Sequence, residues 1–496
     1  MESATNTQKK KANKKVILLL LDSLMHKPLQ KAINNGDANT FQFFLEHGQY
    51  YPDMISPFPT MSVNVDSTLL TGVYADKHQV PGLVWFHKDE QRLINYGSHI
   101  RELLKLGLNK AMTDILFHLN NKHLNRDVRT IHEELAAHGK NSCSINTLIY
   151  RGDTNQSLRI PALVSLFTGV EREIKTKAPA IFSYGAMAKI NPSNRTHFFW
   201  RRYGFHNTFA INELSYLIKE KKLPDLTIVY FPYGDKSVHK NGPMDMKGIK
   251  KVNNQLAKML NNCFHSWEDA LQEYTWIMIG DNGQSWVGPN RQEALIDLRK
   301  LLKSYEIVKL KDGVTTHDEI VLGVNERMAF IYSLDVGHVP LEQIAEKLQQ
   351  DNRIDLISWK EGAKIHVISG EKEGKLSFQP EGEYFDQYKQ TWTLDGTTDI
   401  LDLEIKNKKI IYGDYPDGLA RLYSSFFSHE GEYVVISAKP GYEIIGEGSP
   451  THVGGASHGA LHKDDSFVPM IVTGTESTPK SKRFLDLKDW LMSLIL

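Results

Sequence analysis

Asp235 and His239 stand four residues apart in the stretch GDKSVHKNGP. On a helical turn, side chains at that spacing share a face, so a carboxylate and an imidazole could converge on one cation. The same pair also arises by chance on charged helices. Asp281 opens the stretch Asp281-Asn282-Gly283-Gln284 after an apolar run. There the glycine lets the backbone bend away while the carboxylate reaches a metal, although an ordinary Asx or glycine turn accounts for the same residues. His458 lies in Gly454-Gly455-Ala456-Ser457-His458-Gly459, where small residues allow close backbone approach to an ion or phosphate. His452 and His462 flank it, as outer partners or as exposed side chains. Finally, Pro57-Phe58-Pro59-Thr60-Met61-Ser62 leads into a helix-like stretch running to Gly72. A hydroxyl at a helix N-terminus sits among free N–H groups that favour anions. Thr60 or Ser62 could therefore cap the helix or face a phosphoryl group as a nucleophile.

These residues need a scaffold that brings distant segments together. Residues 14–22 read KKVILLLLD, a short apolar run with a polar stop. That is the signature of a central parallel strand covered on both faces. Leu226 to Tyr230 and Trp276 to Gly280 repeat it, each running towards an aspartate, with helix-like stretches at Ile211 to Lys222 and Gly248 to Thr275. The alternation predicts a doubly wound, mostly parallel α/β sheet flanked by helices. In such sheets ligands collect at the carboxyl ends of strands. Asp22, at one such end, is therefore a site candidate, or else it caps the next turn.

The remaining organisation follows from changes in texture. Residues 1–13 are polar and lysine-rich and predict a disordered tail. A catalytic core spans 14–300, with 86–210 as a helical or lid insertion. Residues 301–415 predict an inserted, smaller α+β subdomain, with strands in Val321 to Tyr332 and Asp355 to Ser369 and a helix from Leu341 to Gln350. Residues 416–496 predict a return to the core through strands at Tyr433 to Ala438 and Val468 to Thr473, closed by an amphipathic helix from Leu485 to Leu496.

Composition narrows the function classes. The 496 residues carry 59 basic and 59 acidic side chains, a formal net charge of zero. That balance disfavours a dedicated nucleic-acid binder or a polybasic membrane-surface protein. The first apolar run, Val16 to Leu21, is far shorter than the ~20 residues of a membrane span. Two cysteines, Cys143 and Cys263, lack metal-type spacing and fit a reducing compartment. The expectation is a soluble cytoplasmic protein with a small-molecule partner and no membrane or nucleic-acid polymer.

Taken in order, the LLLLDS segment at Asp22, the PTMS…LLTG block from Pro59 to Gly72, YADKH ending at His78, D-x-x-x-H-x-x-G-P from Asp235 to Pro243, the D-x-G-Q turn at Asp281 and SHG at 457–459 form a collinear series. The chain resembles the type I phosphodiesterase/nucleotide pyrophosphatase branch of the alkaline phosphatase superfamily. That resemblance implies an alkaline-phosphatase-like fold and a hydrolase acting on a small phosphate ester, a phosphodiester or nucleotide first and a monoester second. It implies two divalent ions, zinc or manganese, with magnesium possible at the second site. Asp235, His239 and His458 would hold one ion. Asp22, Asp281 and Asn282 would hold the other, with Ser62 touching it as nucleophile and forming a phosphoseryl intermediate; Thr60 is the fallback. Three positions depart from the family pattern. Asn282 stands where histidine is usual, Leu83 where relatives carry an asparagine, and Gln79 where glycine commonly follows the histidine. The alternative is a catalytically weakened or non-catalytic metal- or ligand-binding member of the same fold.

Overall fold

The computed structural model describes residues 14–496 apart from residue 233; the tail expected at 1–13 lies outside the described residues. Seven strands form the central sheet. In spatial order they are Gly48–Ile55, Phe467–Thr473, Tyr274–Gly280, Lys15–Leu21, Leu226–Phe231, Ser142–Ile145 and Ile181–Ser183. The last five run parallel, and only Phe467–Thr473 opposes its neighbours.

The uninterrupted run of Lys15–Leu21 follows from its position at the middle of this sheet. Val16, Leu18 and Leu20 pack with Val65, Leu69, Leu70, Trp490 and Leu491 on one face. Ile17, Leu19 and Leu21 pack with Leu29, Phe41, Leu214 and Leu256 on the other. Each such side chain, fully buried, contributes roughly 1.5–3 kcal/mol. Register then fixes the site. Leu21 pairs with Gly280 on one side and with Phe231 on the other, so Asp22 and Asp281 leave the sheet at the same level. The expected helix over Gly248 to Thr275 is two helices, Lys247–Cys263 and Trp267–Glu273, because Ser266 and Asp269 form a capping box that restarts it.

Two strand expectations need correction. Ser142–Ile145 and Ile181–Ser183 belong to the central sheet although they fall inside the stretch expected to be an insertion. They are too short and serine-rich to show as apolar runs. Conversely, Glu432–Ala438 does not rejoin the core; it lies inside a second, nine-stranded sheet between Met328–Ser333 and Ile354–Glu361. Tyr433 and Val435 face the Gly418–Phe426 helix side, whereas Val434, Ile436 and Ala438 face the Leu341–Gln349 helix side. An apolar run marks a strand covered on both faces without saying which sheet covers it.

The second sheet is locked to the first at one hairpin. Ile320–Asn325 and Met328–Ser333 are joined by Glu326 and Arg327, with Glu326 at φ 59°. Arg327 is fully buried. Its Nε donates to Asp465 Oδ2 at 2.9 Å, and its two terminal nitrogens donate to the carbonyls of Ala438, Lys439 and Tyr442. Its backbone N–H donates to the carbonyl of His458 at 3.0 Å.

The helix Ser62–Thr71 is buried on every side from Val63 onward, yet it is rich in polar residues. Each therefore needs a partner. Asn64 donates to the Pro59 carbonyl, Ser67 and Thr71 donate back to carbonyls one turn earlier, and Thr68 meets His78 Nε2 at 3.1 Å. Burial holds His78 neutral, lowering its pKa to about 3. Asp66 accepts from the Leu148 N–H at 3.1 Å and is not exposed to solvent. Burial, reinforced by the charge of Asp281, raises its pKa to about 8.

Two predictions follow from this packing. Arg327→Ala strands Asp465 in the interior and should lower unfolding free energy by about 3–5 kcal/mol, measured by denaturant titration. For Asp66, the unfolded carboxyl titrates near ~4 and the folded one about 8. Between those values the folded state holds the extra proton, so stability falls as pH rises. In chelator-treated protein, Asp66→Asn should therefore melt above wild type at pH 8, and the gap should narrow by pH 5.

Candidate active site

The carboxyl ends of three neighbouring strands supply the first side chains. Ser23, in the left-handed region at φ 58°, turns back over the strand ends. Its N–H donates to Asp281 Oδ1 at 2.9 Å, and its hydroxyl lies 3.2 Å from Asp22 Oδ1, 3.3 Å from Asp235 Oδ1 and 3.3 Å from Asn282 Oδ1. Asp22 also accepts from Tyr230 Oη at 2.6 Å. Gly234 makes this crossing possible: a Cβ there would sit 2.0 Å from the Asp22 carbonyl oxygen.

Ser62 begins the buried helix, and Met61 occupies the cap position. The Ser62 hydroxyl does not cap the helix; it donates to Asp281 Oδ2 at 2.9 Å. Thr60 has another task. Its hydroxyl accepts from the Gly459 N–H at 2.8 Å, and its carbonyl meets His458 Nδ1 at 2.7 Å. Of the two hydroxyls, Ser62 faces the carboxylates and Thr60 holds the histidine loop.

Asp235 and His239 share the helix Asp235–Asn241, with His239 Nε2 2.7 Å from Asp235 Oδ1. His458 Nε2 lies 3.8 Å from the same oxygen. One donor atom from each of the three residues falls within 4.8 Å of the others. His239 Nδ1 is fixed on the Ala456 carbonyl at 2.7 Å. With both Nδ1 atoms engaged by carbonyls, each ring turns Nε2 inward, the arrangement a metal ligand requires.

The donors fall into two groups whose chemistry suits divalent cations. On one side stand a carboxylate and two imidazoles. On the other stand Asp22, Asp281, Ser62 and the amide of Asn282. Burial, with Asp281 and Asp235 nearby, pushes Asp22 well above the usual carboxylate range. Burial likewise raises Asp281, against the Ser23 N–H that stabilises its charge. A bound cation would relieve both. Burial opposes the charge of Asp235, but His239 and His458 outweigh it and hold its pKa low. The Asn282 amide has a buried Nδ2 with no hydrogen-bond partner. Its Oδ1 lies 3.3 Å from Ser23 Oγ, which also neighbours Asp22 and Asp235, so the amide oxygen can serve a cation there.

All seven expected site residues, Asp22, Ser62, Asp235, His239, Asp281, Asn282 and His458, thus meet in one place. Leu83 offers no side-chain donor; its N–H donates to Asn325 at 2.8 Å. Gln79 adopts φ 61°, the conformation that a glycine takes without cost. Sequence reasoning missed two contributors. Gln284 donates to Asp235 Oδ1 and to Ser23 Oγ, both at 2.8 Å. Glu326 reaches the histidines from the second sheet, 3.8 Å from His239 Nε2 and 3.9 Å from His458 Nε2. Gln284 ends the D-x-G-Q turn that begins at Asp281. Glu326 lies in a hairpin turn, where a glutamate looks like ordinary solvated surface.

Comparison with known proteins bears on the fold and the family. No curated protein sequence matches the chain. Among solved structures, human ectonucleotide pyrophosphatase/phosphodiesterase 5 superposes with a TM-score of 0.55 at 13% identity, covering 97% of this chain and 95% of that one. The murine counterpart, as an inactive variant in complex with AMP, gives 0.56 at 13% identity over 97% and 95% of the two chains. Phosphonoacetate hydrolase from Sinorhizobium meliloti 1021, in complex with phosphonoformate, gives 0.56 at 14% identity over 98% and 96%. At these identities the likeness is one of fold. A sequence model of the family described as "Type I phosphodiesterase / nucleotide pyrophosphatase" matches residues 16–460. The chain belongs to the type I phosphodiesterase/nucleotide pyrophosphatase family.

Proposed function

We propose that the protein is a divalent-metal-dependent phosphoric ester hydrolase in which Ser62 is the nucleophile. The observation that carries this reading is the Ser62 hydroxyl, 2.9 Å from Asp281 Oδ2 at the start of a buried helix. Asp235, His239 and His458 would hold one ion, zinc or manganese. Asp22, Asp281, Asn282 and Ser62 would hold the other, where the amide oxygen favours manganese or magnesium over zinc. Bound ions would stabilise the serine alkoxide and the charge on the phosphoryl oxygens.

The chain's own residues do the rest. Ser62 Oγ forms a bond to phosphorus as the ester oxygen leaves on the opposite side. The hydroxyl proton passes to Asp281 Oδ2, the acceptor it already meets at 2.9 Å. The helix N-terminus at Ser62 supports negative charge on the non-bridging oxygens. Water then attacks the phosphoseryl group, one of its protons passing through solvent to the departed ester oxygen; the Oγ–P bond breaks, and Asp281 returns the proton to the serine. Phosphodiesters or nucleotides are the first substrate class and monoesters the second, in keeping with the AMP held by the murine relative. We assign the protein to the cytoplasm; its free Cys143 and Cys263 support that.

Wild type supplied with Mn²⁺ or Zn²⁺ should hydrolyse an aryl phosphodiester, and Ser62→Ala should lower kcat/KM at least about a thousandfold. Equal inertness of the two proteins across metals and ester types would instead favour a non-catalytic binding protein. Asn282→His supplies the usual imidazole and should tighten Zn²⁺ at the weaker site by roughly tenfold, read by metal titration.

A further inference from the structure

The carboxylate of Glu326 reaches the candidate centre on a hairpin that the second sheet contributes. Its Oε1 lies 3.8 Å from His239 Nε2 and its Oε2 3.9 Å from His458 Nε2. Beside it, His452 forms a further potential ligand group with His239 and Glu326, their donor atoms all within 4.8 Å. We propose that Glu326 and His452 are metal ligands, so that the ion held by Asp235, His239 and His458 has five protein donors. This rests on the metal-binding reading of the site, not on its hydrolytic chemistry.

Spacing, orientation and support argue for it together. Donor atoms each about 2.0–2.2 Å from a shared ion stand roughly 2.9–3.5 Å apart. Donor pairs among Asp235, His239, His458 and Glu326 already stand 2.7–3.9 Å apart, and His452 lies within 4.8 Å of His239 and Glu326, so His452 has the furthest to move. His452 Nδ1 is committed to Glu443 Oε1 at 2.5 Å, and Glu443 is fully buried. That carboxylate–histidine pairing leaves Nε2 as the outward-facing donor, as it does in metal sites. The rings of His239 and His452 stack with centroids 4.0 Å apart.

Glu326 is held for the purpose. Ser457 Oγ donates to its Oε2 at 2.7 Å, and the adjoining Arg327 anchors the turn to the His458 carbonyl. A different group, Asp114 with His118 and His123, lacks this character. Asp114 is already clamped by both terminal nitrogens of Arg92 at 2.7 and 2.9 Å, so a cation there would meet a guanidinium.

The test is metal binding without substrate. Metal-free full-length protein is titrated with Mn²⁺ or Zn²⁺ against a competing chelator, and bound metal per chain is counted by elemental analysis. Glu326→Gln and His452→Ala should each weaken the tighter site by about 10–100-fold, while Asp114→Asn leaves it unchanged. Both ligand variants should also alter the visible spectrum of the Co²⁺-loaded protein, which a residue outside the coordination shell would not do. Wild-type affinity and spectrum in either variant would overturn the five-donor set. If Glu326→Gln fails to fold, Glu326→Asp withdraws the carboxylate by one methylene and should weaken binding in the same assay. Ser62→Ala should keep the tighter site intact, so a failure of hydrolysis and a failure of this proposal give different results.

Discussion

Asp22 and Asp281, both buried, and the half-buried Asp235 are carboxylates that the fold gathers around Ser23, and their mutual repulsion is the constraint to which the surrounding structure answers. Parallel register forces the crowding, since Leu21 pairs with both Gly280 and Phe231 and the chains leave the sheet together. The protein spends hydrogen bonds to hold them: the Ser23 N–H on Asp281, Tyr230 on Asp22, and Gln284 with His239 on Asp235. Hydrogen bonds to a charged carboxylate offset only part of its desolvation. Divalent cations would balance the remainder, so the same crowding that burdens folding would favour a bound metal.

Two buried arginines explain how a second sheet of different architecture can share this site. Arg327 ties the hairpin to Asp465 and, through its backbone, to His458. Arg421, in the helix Gly418–Phe426, donates to the carbonyls of Pro57 and Leu461 and to Ser466 Oγ. Pro57 begins the loop that ends at Ser62, so both arginines bear on site segments. An arginine suits such positions because its planar fork spans several carbonyls and stays charged when buried.

The parts of the protein that were readable in advance share a physical cause. Lys15–Leu21, Leu226–Phe231 and Tyr274–Gly280 are apolar on both faces because helices cover both faces, and that pattern needs no tertiary knowledge. The aspartates after Leu21 and Gly280 could equally cap or turn the chain, and it was their place in the collinear series of motifs that marked them as site residues. Ser142–Ile145 could not be read the same way, since at four residues with two serines it takes its strand identity from the Leu226–Phe231 neighbour. Glu326 was invisible for another reason: only the packing of Arg327 aims that turn inward, and no local pattern records it.

The backbone bond from Arg327 to His458 has a mechanical consequence. In many two-lobed enzymes, one lobe swings on a hinge to admit substrate and then shuts over it. Here such a swing would pull His458 and Glu326 out of place before any ligand arrived. The two sheets must therefore travel as a unit, and passage to the serine falls to side-chain rearrangements and local loop breathing around a fixed floor.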